Sequence, residues 1–251
     1  MAGHSKWANI KHRKGAVDAK RSKIWSKLSK AIIVAAKMGG PDPDGNARLR
    51  NAIADAKAAS VPKDNIARAI KKGSGETEWD NYEEFIYEGY ASDGVAVMCD
   101  ILTDNRNRTA PEVKKLFEKH GGKMGTTGCV SFMFDRKGLF LIEESKIDEE
   151  ALMELAMEAG AEDIANDDGH YEVTCNPDVF SDVSEAFEKA ELVCASAQVA
   201  RIPQNTVDLD DANAARKVLK LIDALDDHDD VQKVSANFNI SDEVMAEVSD
   251  G

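Results

Sequence analysis

No Cys-x-x-Cys pair and no long apolar run occur in this chain of 251 residues. The four cysteines, Cys99, Cys129, Cys175 and Cys194, are scattered, each beside apolar neighbours in a strand-like stretch. That pattern predicts buried free thiols in a reducing compartment rather than a disulfide framework. In the N-terminal region the longest apolar run, Ala31 to Ala36, falls far short of the ~18 residues that cross a bilayer. No apolar core of a secretory signal follows Met1, so the expected location is cytoplasmic, with no membrane partner. The histidines His4, His12, His120, His170 and His228 lie far apart and offer no metal-ligand spacing. There is no Gly-x-Ser-x-Gly elbow, no His-Glu-x-x-His pair and no phosphate-loop pattern. The expectation is therefore no catalytic residue, no metal and no cofactor. An enzyme would have to gather its residues by folding, with 103–128 as its pocket, and that is the weaker reading.

Acidic residues are missing from one region only. Asp18 is the single acid in residues 1–37, against ten Lys and Arg. Residues 1–75 carry 17 Lys+Arg and 5 Asp+Glu, a net of +12. Residues 76–251 carry 15 and 41, a net of −26, so the overall −14 conceals two opposite halves. With 43% hydrophobic and 31% charged residues the chain has the composition of a folded globular protein. Charge asymmetry of this kind points to a polyanionic partner for the basic part.

Residues 1–17 lack apolar periodicity and read as a basic arm carrying Lys6, Lys11, Arg13 and Lys14. A helix is predicted from Asp18 to Met38, stopped by Gly39-Gly40-Pro41. A second fits Asp44 or Asn46 to Ala59 with Leu49, Ile53 and Ala56 inward. A third runs from Pro62 to Gly73 with Ile66 and Ile70 inward. Strands are then expected over 84–90 and 95–102 around Ser92-Asp93-Gly94, followed by a helix at 110–120 and a strand at 129–134. Residues 138–201 read strand-helix-strand-strand-helix-strand, the ferredoxin-like order. A helix at 210–225 and a strand at 231–238 return to the first sheet, and 241–251 reads as a frayed acidic tail. The fold class is α+β and multidomain. A basic arm and three-helix domain occupy 1–78. One α+β domain comprises 79–136 plus 204–240, and a ferredoxin-like α+β domain at 137–203 is inserted into it.

On a helical wheel Lys20, Lys23, Lys27, Lys30 and Lys37 form one stripe, opposite Ile24, Leu28, Ile32 and Ala35. A solvated face ordinarily mixes both signs to gain i,i+4 pairs. This one forgoes them, which predicts an outward cationic surface for phosphates and an affinity that falls steeply with salt. The candidate nucleic-acid-binding residues are Lys6, Lys11, Arg13, Lys14, Lys20, Arg21, Lys23, Lys27, Lys30 and Lys37. Trp25 lies at the edge of the apolar face, whereas Trp7 has no evident core partner.

The polar segment Thr103-Asp104-Asn105-Arg106-Asn107-Arg108-Thr109 joins a strand to a helix. Asn107 or Thr109 as cap and Pro111 in the first turn explain part of it. Asn105, Arg106, Asn107 and Arg108 form a candidate second anion-contact loop, with the arginines as phosphate forks. The Gly-rich stretch from Gly121 to Gly128 offers backbone amides to a ligand nearby. His228, within Asp226-Asp227-His228-Asp229-Asp230, reads as a solvated helix end.

The opening Met1-Ala2-Gly3-His4-Ser5-Lys6-Trp7-Ala8-Asn9-Ile10-Lys11-His12-Arg13-Lys14, with Asp18-Ala19-Lys20-Arg21, resembles the start of the YebC/PmpR family. The segment Thr103 to Ala110 resembles that family's most distinctive internal motif, and the stretch from Gly121 to Phe134 also fits. Cys129 stands where many members carry serine. The resemblance spans essentially the whole chain. It implies one helical and two α+β domains in a cytoplasmic, non-enzymatic regulator that binds DNA and controls transcription. It also implies an alternative, because related members, mitochondrial ones included, are translational activators acting at the ribosome on proline-rich nascent stretches. The partner is then DNA or ribosomal RNA, with oligomeric state open.

Overall fold

The computed structural model describes residues 18–75, 82–167 and 169–249. The first three helices are α1 (Asp18–Gly39), α2 (Ala47–Ala58) and α3 (Lys63–Ser74). They share one core of Ile32, Ala35, Leu49, Ala56, Ile66 and Ala69, with Trp25 and Leu28 packed at its rim. Asn46 sets two helix ends at once. Its side-chain oxygen accepts from Leu49 N at 3.0 Å to cap α2, while its amide donates to the carbonyls of Ala35 and Gly40, both at 2.8 Å. Trp25 donates from Nε1 to Ala59 O at 3.0 Å, which ties α1 to the end of α2. Ile24, expected with the apolar stripe, is exposed, since the shared core starts only at Trp25 and is deepest at 32–36. At Gly73 a Cβ would stand 2.3 Å from Ile33 O and 2.8 Å from the Ala36 methyl. Glycine there lets the last turns of α1 and α3 touch.

The elements that follow, in chain order, are β1 (Glu83–Tyr90), β2 (Ala96–Thr103), α4 (Arg106–Lys119), β3 (Lys123–Met124), β4 (Phe134–Glu143), α5 (Glu149–Glu158), β5 (Ala161–Asp167), β6 (His170–Cys175), α6 (Phe180–Lys189), β7 (Ser196–Pro203), β8 (Val207–Asp208), α7 (Ala212–Asp226), β9 (Val231–Ala236), β10 (Phe238–Asn239) and α8 (Asp242–Ser249). Strands β3-β1-β2-β9 form the first sheet in that order. β1 and β2 are an antiparallel hairpin with Glu83 opposite Thr103 and Tyr90 opposite Ala96. Asp93 and Gly94 take positive φ at its tip, as tight hairpin turns require.

Two compact units result: Asp135–Ile202 forms one, and the described residues on either side form the other, which contains both the three helices and the first sheet. In the Asp135–Ile202 unit the sheet order is β5-β6-β4-β7, the ferredoxin-like arrangement, with α5 and α6 supplying the helices. Its core holds Phe140, Ile142, Leu152, Val173, Val183 and Phe187. Phe140 stacks on Phe180 at 4.8 Å and meets Phe187 edge-on at 5.1 Å.

Three local expectations are corrected. α4 begins at Arg106 rather than Ala110, because Asn105 is its cap, accepting from Arg108 N at 3.1 Å. The expected strand at 129–134 is instead a loop with a 3-10 turn at Ser131–Met133, and β4 runs unbroken from Phe134 to Glu143. Loop amides there are held by the Glu88 carboxylate and are lost to any strand ladder. The expected frayed tail contains α8, which packs on α7. Ser241 accepts from Val244 N at 3.3 Å at its start, and Arg216 of α7 donates to Glu247 O at 2.5 Å.

Candidate nucleic-acid interface

The cationic stripe of α1 does not face outward along its length. Lys23 Nζ donates to Asp227 O at 3.0 Å, and Lys27 Nζ donates to Asp226 O. Lys30 Nζ reaches Asp229 O at 3.2 Å and Asp230 Oδ1 at 3.3 Å. These carbonyls lie at the C-terminal end of α7 and in the turn beyond it, where the helix dipole is negative and backbone acceptors lack intrahelical partners. Val34, on the lysine side of the wheel, is only 6% exposed and lies outside the three-helix core. The wheel therefore separated the two faces correctly, but the lysine face is also a packing face. Arg48 of α2 adds a further tie, pairing with Glu84 of β1.

Asp230 is the centre of this contact. Expected as part of a solvated helix end, it is 3% exposed. Its Oδ2 accepts from Arg108 at 2.6 Å, from Thr109 Oγ1 at 2.8 Å and from Thr103 Oγ1 at 3.1 Å, while Lys30 approaches Oδ1. Burial is the largest influence on its carboxyl and pushes the pKa up. Hydrogen bonds from Arg108 and Thr109, with the charges of Lys30 and Arg108, outweigh burial and hold it below the ordinary carboxylate range. Its own N–H donates to His228 Nδ1 at 3.1 Å, and His228 Nε2 lies 3.0 Å from Glu112 Oε2. One carboxylate thus joins α1, the end of β2, the first turn of α4 and the α7–β9 turn.

The 103–109 segment has structural tasks the sequence did not disclose. Asn105 caps α4 and Arg108 holds Asp230 and Asp104. Arg106 lies over the Phe85 ring, 4.3 Å from its centroid, a cation–π geometry. Asn107 is exposed. The arginine forks were expected to grip phosphate; in the structure Arg108 grips a carboxylate.

The glycine-rich stretch does not lie beside that loop. Lys123 pairs with Tyr90 and Thr103 with Glu83, at opposite ends of β1, roughly 23 Å apart at strand rise. Nor are its amides free. Glu88, 3% exposed, accepts from Gly128 N at 2.7 Å and from Val130 and Ser131 N at 2.8 Å each. Burial pushes the Glu88 carboxyl up, but those three amides and the Ser131 hydroxyl bring it below its ordinary value. Sequence reasoning missed this contact; an acidic residue inside a strand, with a loop of unclaimed amides further along the chain, is the signal that could have found it.

Among the described candidate residues, Lys37 is exposed. Lys20 and Arg21 lie within α1. Lys6, Lys11, Arg13 and Lys14 fall outside the described residues. Sequence reasoning passed over the cations of α2 and α3, of which Arg50, Lys57, Lys63, Arg68, Lys71 and Lys72 are exposed. All four cysteines are free, with Cys99 and Cys175 buried and Cys129 and Cys194 half-buried. Burial pushes the Cys175 and Cys194 thiols up to about 11, away from reactive thiolate. No metal-holding group of His, Cys, Asp and Glu and no helix long and apolar enough to cross a membrane occurs among the described residues.

Comparison with known proteins agrees with this architecture. Residues 5–76 match the model of the TACO1/YebC protein N-terminal domain, and residues 82–238 match that of the TACO1/YebC second and third domain. A probable transcriptional regulatory protein of Rhodopirellula baltica is 58% identical over 98% of this chain and 100% of its own length. Another, from Geobacter sulfurreducens, is 56% identical over 98% of each chain. The crystal structure of a conserved hypothetical protein, Aq1575 from Aquifex aeolicus, superposes with a TM-score of 0.84 at 49% identity, covering 96% of this chain and 99% of that one. With both family models matched in sequence order and full-length relatives above half identity, this chain belongs to the TACO1/YebC family.

Proposed function

We propose that this chain is a non-enzymatic nucleic-acid-binding regulator that acts in the cytoplasm as a DNA-binding transcriptional regulatory protein. The observation that carries the reading is charge segregation: a net of +12 over residues 1–75 against −26 over the remainder. Cations gathered on one region neutralise phosphates and release condensed counterions, which is the main source of sequence-tolerant affinity. The names of the relatives support the regulatory role. The arginines at the starts of α2 and α4 are engaged within the fold, Arg48 with Glu84 and Arg108 with Asp230, which favours binding by backbone contact over base readout.

A second reading is favoured by the acidic body. Residues 135–202 alone carry 5 Lys+Arg and 18 Asp+Glu, a charge that naked duplex repels and basic ribosomal proteins attract. In this reading the chain is a ribosome-associated translational activator that binds ribosomal RNA and eases stalling at proline-rich stretches. Crosslinking in cells followed by sequencing of both DNA and RNA separates the two. Enrichment at promoters supports the first; ribosomal RNA reads, with RNase-sensitive co-sedimentation, support the second. Absence of both kinds of read overturns nucleic-acid binding.

A further inference from the structure

Resting on the nucleic-acid reading above, we infer that the phosphate backbone is gripped by the outward face of α3 and the last turn of α1. Lys37, Arg68 and Lys71 form its centre, and the Lys23-Lys27-Lys30 stripe is an internal clamp.

The two cation sets differ in where their charge ends. Lys23, Lys27 and Lys30 each place Nζ on a carbonyl or carboxylate oxygen of 226–230. A phosphate would have to share those ammonium groups with oxygens that already partly neutralise them. Among the described residues, no such acceptor from another element meets the Arg68 guanidinium or the Lys71 ammonium. On α3 the buried positions Ile66, Ala69 and Gly73 fall on one side of the helix, and Lys71 and Arg68 fall opposite them at 100° per residue. Arg68 bonds only within its own helix, to Asp64 O at 3.2 Å and to Asn65, which steadies the guanidinium along the helix without using it up. Asp64 is the single acid of α3.

The fold supplies the rest of the footprint. Because Gly73 sits directly on Ile33 O and Ala36, the last turns of α1 and α3 run side by side. Lys37, the residue after Ala36, is thereby brought to the level of Lys71 and Lys72, at the same end of the helical region. Arg68 and Lys71 are i,i+3 neighbours on one ridge. The result is a cationic surface on two helices, in which Lys37 continues the α1 stripe two turns beyond Lys30 and past the residues that meet 226–230. A guanidinium and two ammoniums on adjoining helices suit a row of phosphates.

The test measures affinity of the full chain for a duplex DNA and for a ribosomal RNA fragment across a salt series. It compares the unaltered chain, the triple variant Lys37→Gln, Arg68→Gln, Lys71→Gln, the single variant Lys71→Gln, and the clamp variant Lys23→Gln, Lys27→Gln, Lys30→Gln. The α3 triple variant should bind about 10- to 100-fold more weakly at low salt. Its slope of log affinity against log salt on DNA should be shallower by about 2.7, and that of the single variant by about 0.9. The clamp variant, checked as folded by thermal unfolding, should keep the slope of the unaltered chain. An unchanged slope in the folded triple variant overturns this placement while leaving nucleic-acid binding intact. Failure of the unaltered chain to bind either nucleic acid overturns the functional reading itself and this placement with it. Whichever polymer shows the larger loss identifies the source of the phosphates.

Discussion

α1 carries six Lys and Arg and α3 four, and both are bound to one core, yet the fold uses these cations in opposite ways. Along α1 the lysines at 23, 27 and 30 end on the oxygens of 226–230. Along α3 the charges at 68 and 71 stay on the surface. The difference teaches that a one-sign stripe can serve as one half of an internal joint. Self-repulsion within the stripe is offset when the other half is a helix C-terminus followed by acids.

The comparison can be broken at its centre. Replacing Asp230 by Ala removes an acceptor shared by Arg108, Thr103, Thr109 and Lys30. The expected loss is about 3 kcal/mol of unfolding free energy, read from denaturant titration. A loss under about 1 kcal/mol would place the joint elsewhere. Acid titrates the same site. Because the native Asp230 and Glu88 carboxyls lie below their ordinary values, their contribution is fully present above the unfolded carboxylate pKa. It is lost as pH falls through the depressed native values, so stability should decline on acidification, and the Asp230→Ala chain should decline less steeply.

Glu88→Ala leaves the amides of Gly128, Val130 and Ser131 without their acceptor and should cost about 2 kcal/mol. Hydrogen exchange should quicken at those three amides while α1 stays protected, which sets this loop anchor apart from the α1 joint. Neutralising Lys23, Lys27 and Lys30 together should cost about 1 kcal/mol, since each is a partly solvated dipole contact. Raising salt should narrow the gap to the unaltered chain. The smallest effect belongs to α3. Neutralising Lys37, Arg68 and Lys71 should leave the unfolding free energy within about 0.5 kcal/mol, as surface changes do, while phosphate affinity falls.

Much of the fold was legible because its signals are local. Gly39-Gly40-Pro41 ended a helix, Asp93-Gly94 turned a hairpin, and the strand-helix alternation from 138 to 201 announced the ferredoxin-like order. Two of the errors share a cause. Asp230 as a buried hub and Glu88 as the holder of a loop each depend on a partner distant in the chain: Asp230 meets residues more than 120 positions away. The Asn105 cap is local, three residues from Arg108, and was one of several polar residues able to start that helix. Periodicity reports which side of a helix is apolar; it carries no information about what covers the polar side.

The basic first quarter, the acidic remainder, the amphipathic helices and the order of the strands were determined by the sequence alone, because composition and periodicity are properties of neighbouring residues. The destination of each charge was decided only by tertiary structure. Lys30 and Lys71 look alike in the sequence; one finds the end of α7 and Asp230 across the fold, and the other stays on the surface. The physical reason is that a charge is used up by whatever acceptor the packed backbone brings within hydrogen-bond reach, and that proximity arises only when distant segments meet.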